Sequence, residues 1–405
     1  KDNLGQNISK FQDGALDVPA VSGNDLMITL DIELQQFGEE LMKNKIGGIV
    51  AIEPHTGEVL AMVSSPTYDP NELVIDRDRG EAVARLSADS LKPFFNRAVM
   101  AQYPPGSTFK PVVGLVAMEE GLMTKDRGLT CPGYYYYNGT SWGCRNHPYP
   151  SNVGKAIQWS CNTYFFQVFR WIVDKGGFYS PEIGLSLFVD YLNKFGLGHT
   201  LGIDFPGEQK GFVPTVEYYD NKYPKDLGSW KSPTIISVGI GQGELLLTNL
   251  QMANMAATIA NKGYYYIPHL AKEFLDTTLQ VDQKYHQRNL VDIDSSLFDP
   301  VIEGMELVVN VGSGRGAFTQ GIRIAGKTGT VQNPHGQDHS TFVAFAPVEN
   351  PQIAIAVYVE NAGGGGRFAA PIAGLMLEKY INREIGPTKT WLEESIKNAN
   401  LIHRP

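Results

Sequence analysis

The amino-acid sequence predicts a mixed α/β (α+β) fold, in which one antiparallel sheet is flanked by helices and accompanied by an all-helical subdomain. Strand-like segments lie near both ends of the chain, as a hairpin over residues 47–64 and as three successive strands over residues 322–360. A long, mainly helical insertion separates these two groups. Because a sheet must bury its apolar faces under other elements, we expect both groups to join one sheet covered by helices.

Length and composition are those of a folded protein. The chain has 405 residues, of which 42% are apolar and 19% are charged, so extensive disorder is excluded. Its net charge of −9 argues against a nucleic-acid partner, because no basic stripe is available to neutralise phosphates. No apolar run reaches the roughly 20 residues of a membrane span. The chain begins at Lys1 rather than methionine, and we expect a fragment cut downstream of any membrane anchor.

The first 45 residues look like a connecting segment that precedes the core. Within it, residues 25–30 predict a strand and residues 31–43 an amphipathic helix, because Leu34, Phe37 and Leu41 recur at helical spacing. The hairpin over residues 47–53 and 59–64 follows, and polar, loop-like sequence then extends to Asn96.

The middle and the end of the chain alternate between helical and strand-like patterns. Residues 125–150 are rich in Gly, Pro, Asn and Tyr, which predicts irregular structure unless a metal orders them. The last residues, 386–405, predict an amphipathic tail. Helices are predicted over residues 152–158, 164–173, 248–261, 297–311 and 368–381, and strands over 322–331, 341–346 and 353–360.

A candidate nucleophile lies in the stretch Pro104-Pro105-Gly106-Ser107, which predicts a tight turn that opens a helix. Residues three apart share a helix face, so Lys110 is expected directly above Ser107. A serine hydroxyl needs a neighbouring base, and a lysine can serve once burial lowers its pKa. The helix N-terminus would favour the oxygen that becomes negative during attack.

Two further motifs follow in a fixed order and complete an acyl-transfer site. In Ser160-x-Asn162, the hydroxyl can relay a proton and the amide can orient Lys110 and a substrate carbonyl. The second of these motifs is a Lys-Thr-Gly-Thr segment. Its lysine keeps the electrostatic potential of the site positive and, together with the threonines, can bind a carboxylate of the substrate. Its glycine lets a substrate strand approach closely. The backbone N–H groups of Ser107 and Thr330 are the predicted oxyanion hole. This second motif consists of Lys327, Thr328, Gly329 and Thr330.

All three cysteines lie within a short window around residue 145. Together with one histidine they have the number and type of ligands of a closed tetrahedral zinc site. The alternative is a single disulfide between Cys131 and Cys144, with Cys161 as a small buried residue. The four candidate ligands are Cys131, Cys144, His147 and Cys161.

These motifs resemble the transpeptidase domain of class B penicillin-binding proteins, most closely the elongation-type penicillin-binding protein 2 group. Residues 48–66 resemble the opening hairpin of that family and continue into Tyr68-Asp-Pro-Asn71. The triplet Asn96-Arg-Ala98 precedes the nucleophile as it does in the family. Residues 239–243 and 248–251 resemble a later signature, in which Asn249 replaces the usual proline.

The resemblance implies a function and a setting. Ser107 would attack the penultimate carbonyl of a D-Ala-D-Ala stem peptide, form an acyl-enzyme and pass the acyl group to an amine, which cross-links peptidoglycan. A β-lactam antibiotic would acylate the same serine. The resemblance also implies a structural zinc site, location in the bacterial periplasm with an inner-membrane anchor, a role in cell shape, and membrane polymerase and morphogenesis partners.

The predicted domain organisation follows from the same resemblance. Residues 1–45 would be the remnant of a non-catalytic pedestal that meets those partners, residues 46–385 the transpeptidase domain, and residues 386–405 a C-terminal tail.

Rival interpretations share parts of the pattern. A serine β-lactamase, a D,D-carboxypeptidase and a β-lactam-sensing receptor domain all use the same three motifs, although no motif for the second base of a β-lactamase is present. The septal transpeptidases are disfavoured by the cysteine cluster. The run Gly139-Thr-Ser141-Trp-Gly143 matches a nucleophile elbow but lacks the flanking strand and helix, so a turn is predicted there. His339 is predicted to be structural.

Overall fold

The described part of the chain folds into helices and strands in the predicted order. The computed structural model describes residues 21–74, 78–224, 226, 228–276 and 278–402. The helices are α1 (Ile32–Met42), α2 (Arg79–Ala88), α3 (Lys110–Glu119), α4 (Val153–Trp159), α5 (Asn162–Val173), α6 (Pro181–Lys194), α7 (Val216–Lys222), α8 (Asn249–Ala260), α9 (Phe298–Val311), α10 (Ala369–Asn382) and α11 (Thr390–Asn398). The strands are β1 (Leu26–Ile28), β2 (Gly47–Ile52), β3 (Val59–Ser65), β4 (Tyr134–Tyr137), β5 (Thr140–Gly143), β6 (Tyr264–Tyr266), β7 (Ala271–Phe274), β8 (Arg288–Leu290), β9 (Ala325–Val331), β10 (His339–Ala346) and β11 (Ile353–Val359).

One antiparallel sheet of five strands organises the fold, in the order β3-β2-β11-β10-β9. The front hairpin joins the three late strands through β2 and β11, where Ala51 lies opposite Ile355. The predicted single sheet is therefore confirmed. On its far edge, β9 pairs with β10 so that Lys327 lies opposite Val343, which places the Lys-Thr-Gly motif on an edge strand.

The two faces of the sheet bury different helices, as alternation along a strand requires. On one face, Ile355 and Val357 pack in a core with residues of α1 and α10. On the other face, Ala356 and Tyr358 join a larger core that includes α3, α5 and α8. Every residue of α8 is buried, which makes it the central helix of the second core.

Helix α1 belongs to the core, whereas the sequence predicted a connecting segment there. Leu34 and Leu41 are buried in the same cluster as the sheet, and a Cβ atom on Gly38 would lie 2.8 Å from Val63 Cγ2. The tail packs beside it, since Leu401 N donates to Asn44 O at 2.9 Å. Residues 1–20 of the predicted pedestal remnant lie outside the described residues, and the domain boundaries stay a prediction.

Two segments that the sequence left irregular are ordered. Helix α2 forms in the interval before Asn96, and strands β4 and β5 form a hairpin within residues 125–150. Asn138 and Gly139 connect these strands with φ angles of 47° and 84°, a two-residue turn that favours this dipeptide. Ser141 of the nucleophile-elbow pattern lies on β5, so the predicted turn was wrong by a few residues. No helix in the described part of the chain has the length and apolarity needed to cross a bilayer.

Candidate active site

Ser107 lies in a tight turn that leads into α3. A 3-10 turn covers Gly106–Phe109, and Lys110 N donates to Ser107 O as the α-helix begins. The turn is held by backbone contacts, because Gly106 N donates to Gly241 O at 2.8 Å. A Cβ atom on Gly241 would lie 2.1 Å from Gly106 O, so only glycine allows this approach. The fold therefore fixes the nucleophile turn by close backbone packing.

Lys110 is fully buried one helical turn after Ser107. Its ammonium group donates to Asn162 Oδ1 at 2.6 Å, to Ser160 O at 2.8 Å and to Ser160 Oγ at 3.2 Å. The structure thus joins the first two motifs, which lie about fifty residues apart in sequence, around one amine.

Ser160 lies between α4 and α5 in the left-handed backbone region, with φ of 53°. This conformation turns its hydroxyl toward the second lysine, and Lys327 Nζ donates to Ser160 Oγ at 3.0 Å. Lys327 Nζ also donates to Thr328 O at 2.9 Å, and the side chain is fully buried. A single hydroxyl therefore bridges Lys110 and Lys327.

Burial changes the acid-base properties of both lysines. Desolvation lowers the pKa of Lys110 to about 7, although the thiols of Cys161 and Cys144 act in the opposite direction. Desolvation and the charge of Lys110 hold the pKa of Lys327 well below its usual value. A lysine with a pKa near neutrality can accept a proton from a serine hydroxyl.

Strand β9 runs alongside the nucleophile turn. A Cβ atom on Gly329 would lie 2.9 Å from Pro105 O and 2.5 Å from Thr341 Cγ2, so glycine is required for this approach. Thr330 Oγ1 accepts a hydrogen bond from Gly365 N at 3.2 Å. The strand and the turn form one wall of a cleft, and the loop of Ser160 and Asn162 forms the other.

One residue at the cleft was missed by the sequence analysis. Ser313 Oγ lies 2.5 Å from Thr328 Oγ1, which adds a second hydroxyl beside the Lys-Thr-Gly motif. Ser313 belongs to a glycine-rich run, Gly312 to Gly316, and no local pattern links such a run to an edge strand. His339 begins β10, where its Nδ1 accepts a hydrogen bond from Asn361 N at 3.0 Å, in agreement with the structural role predicted for it.

The cysteine cluster is brought together as predicted. One ligand atom from each of Cys131, Cys144, His147 and Cys161 lies within 4.8 Å of all the others. All three cysteines are free thiols. Three sulfurs and one imidazole at this separation fit a tetrahedral zinc ion, whose sulfur ligands lie at about 2.3 Å from the metal.

The cluster also contacts the Ser-x-Asn loop. Asn162 N donates to Cys144 Sγ at 3.1 Å, and Asn162 Nδ2 donates to Gly143 O at 3.1 Å. Cys161 Sγ accepts a hydrogen bond from Tyr164 N at 3.3 Å and so caps the start of α5. The side chain that receives a hydrogen bond from Lys110 is thus held by the cysteine segment.

Some serine enzymes that transfer acyl groups use a lysine as the general base, where others use a histidine. The arrangement of Ser107 and Lys110 is of the lysine type. The fold and the site together therefore define the active-site serine class that contains penicillin-binding proteins and serine β-lactamases. Within that class, the sequence model of the penicillin-binding protein transpeptidase domain matches residues 47–378, and the chain belongs to this family.

Individual relatives agree with this assignment. The peptidoglycan D,D-transpeptidase MrdA of Haemophilus influenzae is 33% identical over 393 residues, which cover 91% of this chain and 58% of that protein. The crystal structure of Pseudomonas aeruginosa PBP2 in complex with WCK 5153 has a TM-score of 0.76 and 35% identity, and the match covers 89% of this chain and 79% of that chain. The complex between PBP2 and MreC of Helicobacter pylori gives a TM-score of 0.70 at 25% identity, covering 87% of this chain and 62% of that chain. The predicted resemblance to the penicillin-binding protein 2 group is confirmed.

Proposed function

We propose that this chain is the catalytic part of a peptidoglycan D,D-transpeptidase. The observation that carries the proposal is the buried amine of Lys110, which lies one helical turn from Ser107 and donates to both Ser160 and Asn162. The relatives named D,D-transpeptidase and the family model support it. The chain spans only 58% of the length of the Haemophilus relative, so the activity of the whole protein belongs to this proposal.

In the first half of the reaction, Ser107 Oγ attacks the carbonyl carbon of the penultimate D-Ala. Its proton passes to the neutral amine of Lys110, and the carbonyl oxygen becomes an oxyanion held by the N–H groups of Ser107 and Thr330. The peptide C–N bond then breaks. The leaving D-alanine nitrogen takes a proton through Ser160, which contacts both lysines.

In the second half, an amine of another stem peptide attacks the Ser107 ester. It loses a proton by the reverse route, and Ser107 Oγ leaves and regains its proton. The terminal carboxylate of the donor is assigned to the hydroxyls of Thr328 and Thr330. Because Lys327 Nζ already donates to Ser160 Oγ and Thr328 O, its role is to keep the field positive and to assist the relay.

The same proposal includes a structural zinc ion. Cys131, Cys144, His147 and Cys161 would hold it, and it would supply rigidity without taking part in the reaction. The support is the contact between Cys144 Sγ and Asn162 N, which connects the ligands to the site. No cofactor is proposed for the chemistry itself.

The proposal extends to location and partners. We place the protein in the bacterial periplasm, held at the inner membrane, where peptidoglycan is assembled and where β-lactams reach their targets. The PBP2 of Helicobacter pylori forms a complex with MreC, which supports a morphogenesis partner for the protein that contains this chain. A membrane polymerase is the other proposed partner.

The activity is tested by incubating the chain with a synthetic stem peptide that ends in D-Ala-D-Ala and with an amine acceptor. We expect release of D-alanine and a cross-linked product, both abolished in Ser107→Ala. Release of D-alanine without a cross-linked product would show that water is the acceptor and would indicate a D,D-carboxypeptidase. Rapid recovery from a penicillin adduct would indicate a β-lactamase, and acylation by penicillin with no reaction of the peptide would indicate a sensor.

A further inference from the structure

An exposed arginine, Arg145, lies in the segment between two of the candidate zinc ligands, Cys144 and His147. Arg145 directly follows Gly143 and Cys144, the residues whose oxygen and sulfur accept the two hydrogen bonds from Asn162. Asn162 in turn accepts from Lys110 at 2.6 Å. The backbone of Arg145 is therefore placed within a few bonds of the catalytic cluster, while its side chain is open to solvent.

No carboxylate in the described part of the chain forms an ion pair with the guanidinium of Arg145. The ion pairs seen between described residues involve other arginines, among them Arg85, Arg97, Arg170, Arg323 and Arg383. A guanidinium group is planar and permanently charged, and one that pairs with none of the described carboxylates is suited to bind a carboxylate of a ligand.

The electrostatic surroundings agree with a site for an anion. The charge of Arg145 contributes to the lowered pKa of Lys110 and also to that of Lys327, so it lies close enough to act on both amines. No carboxylate contributes to either shift, and the groups that raise the pKa of Lys110 are the thiols of Cys161 and Cys144. Three basic side chains thus act on one another's charge near Ser160, in a chain whose net charge is −9.

The proposed function assigns the terminal carboxylate of the donor to hydroxyls on the opposite wall. Thr328 and Thr330 lie on β9, which is fixed against the nucleophile turn at Gly329. Arg145 follows the residues that contact the Ser-x-Asn loop, so it lies on the other wall.

We propose that Arg145 binds an internal carboxylate of the donor peptide, on the N-terminal side of D-Ala-D-Ala, and so selects acidic stem peptides over their amidated counterparts. This inference rests on the proposed function and deepens it by naming the substrate class. Arg145 is a specificity residue, because it contacts a remote group of the substrate and none of the reacting atoms.

The test uses two synthetic peptides that end in D-Ala-D-Ala and differ only in one group. One peptide carries a free side-chain carboxylate before D-Ala-D-Ala, and the other carries the carboxamide. Each competes with a fluorescent penicillin for Ser107, and the inhibition constant is taken from the rate of labelling. The ratio of the two constants is calculated within each variant, so a general loss of labelling cancels.

In the wild-type chain we expect the acidic peptide to bind about fivefold to twentyfold more tightly than the amide, as a charge-assisted hydrogen bond allows. In Arg145→Gln the ratio falls to about one, and Arg145→Lys recovers part of it at low salt. The matched control is Arg288→Gln, which removes the same charge from an exposed arginine that donates to the Tyr266 hydroxyl. The control keeps the wild-type ratio.

Equal binding of the two peptides by the wild-type chain would overturn the inference, as would an unchanged ratio in Arg145→Gln. If that variant fails to fold, the wild-type ratio and its decrease with rising salt still decide the matter. Failure of the proposed function has a different signature, since the stem peptide with an amine acceptor would then give no cross-linked product, whatever the ratio of the two inhibition constants.

Discussion

The two walls of the cleft are built in different ways. The wall of Ser107 and β9 is part of the main sheet and core, and glycines at positions 106, 241 and 329 allow its backbone segments to touch. The wall of Ser160 and Asn162 is held instead by sulfur and carbonyl contacts from the cysteine segment. One wall is therefore formed by folding alone, whereas the other depends on the state of the four cysteine and histidine side chains that we propose as zinc ligands.

The largest effect is expected from a substitution of Gly241, which packs against the nucleophile turn in the wall of Ser107 and β9. In Gly241→Ala, the new Cβ would lie 2.1 Å from Gly106 O, which must displace the nucleophile turn. We expect a loss of at least about 3 kcal/mol in the free energy of unfolding and loss of penicillin labelling. Urea denaturation and a labelling assay measure the two effects.

Gly243→Ala is the matched control for this prediction. Gly243 has φ of +73°, close to the +71° of Gly241, but its nearest neighbour would be 3.6 Å away. Only the cost of the left-handed backbone remains, about 1 kcal/mol. Equal losses in the two variants would show that the contact with Gly106 has no special weight.

The next prediction concerns the wall of Ser160 and Asn162, which should lose its support when the proposed zinc ion is removed. We expect Cys161→Ser to lose the bound zinc, to lower the free energy of unfolding by about 2–4 kcal/mol and to slow acylation by roughly tenfold, because the Ser-x-Asn loop loses its support. Elemental analysis, thermal melting and labelling rates measure these changes. Chelation of the wild-type chain is expected to reproduce them.

Cys131→Ser distinguishes the metal from the disulfide alternative. With zinc, both substitutions remove a ligand and both lose the metal. With a disulfide between Cys131 and Cys144, Cys131→Ser would instead release one thiol, and Cys161→Ser would leave the bridge intact. If zinc-free wild-type protein had an unchanged melting temperature and acylation rate, the proposed structural role of zinc would be wrong.

The dependence of acylation on pH connects the two walls, because Lys110 belongs to one and contacts the other. Only the neutral amine can accept the Ser107 proton, and burial lowers the pKa of Lys110 to about 7. The acylation rate should therefore rise with pH through that value, by about tenfold between pH 6 and pH 8. Single-turnover labelling at constant ionic strength measures the profile. A rate that does not change across this range would contradict the role of Lys110 as base.

The smallest effect is expected from a substitution of Asn249 in the core. Asn249, at the first position of α8, is fully buried, and its side-chain oxygen and nitrogen have no hydrogen-bond partner. Proline is favoured at this position, and Thr248 before it has an extended ψ of 161°. We expect Asn249→Pro to stabilise the protein by about 1 kcal/mol without changing the acylation rate. Differential scanning calorimetry measures the gain, and a lower melting temperature would contradict it.

The sequence predicted the single sheet and the residues that meet at the cleft, because the strand patterns and the three motifs are local. It missed what depends on long-range packing. The apolar spacing of α1 indicated a helix but not that its partner would be β3. The Asn138-Gly139 dipeptide was a usable hairpin signal, although the surrounding composition suggested a loop.

No local sequence pattern predicts contacts between segments that are distant in the chain. The proximity of Ser313 to Thr328, and the hydrogen bonds that Gly143 and Cys144 accept from Asn162, arise only when the sheet edge and the hairpin assemble. These contacts supply the orientation of the site, whereas the motifs supply its chemical groups.

The central claim is that Ser107 is the nucleophile activated by Lys110. It is tested most directly by peptide mapping of the penicillin adduct in the wild-type chain, in Ser107→Ala and in Ser141→Ala, the serine of the nucleophile-elbow pattern on β5. We expect a stable mass increase on the peptide that contains Ser107, its absence in Ser107→Ala and its persistence in Ser141→Ala. An adduct elsewhere, or one that survives Ser107→Ala, would contradict it.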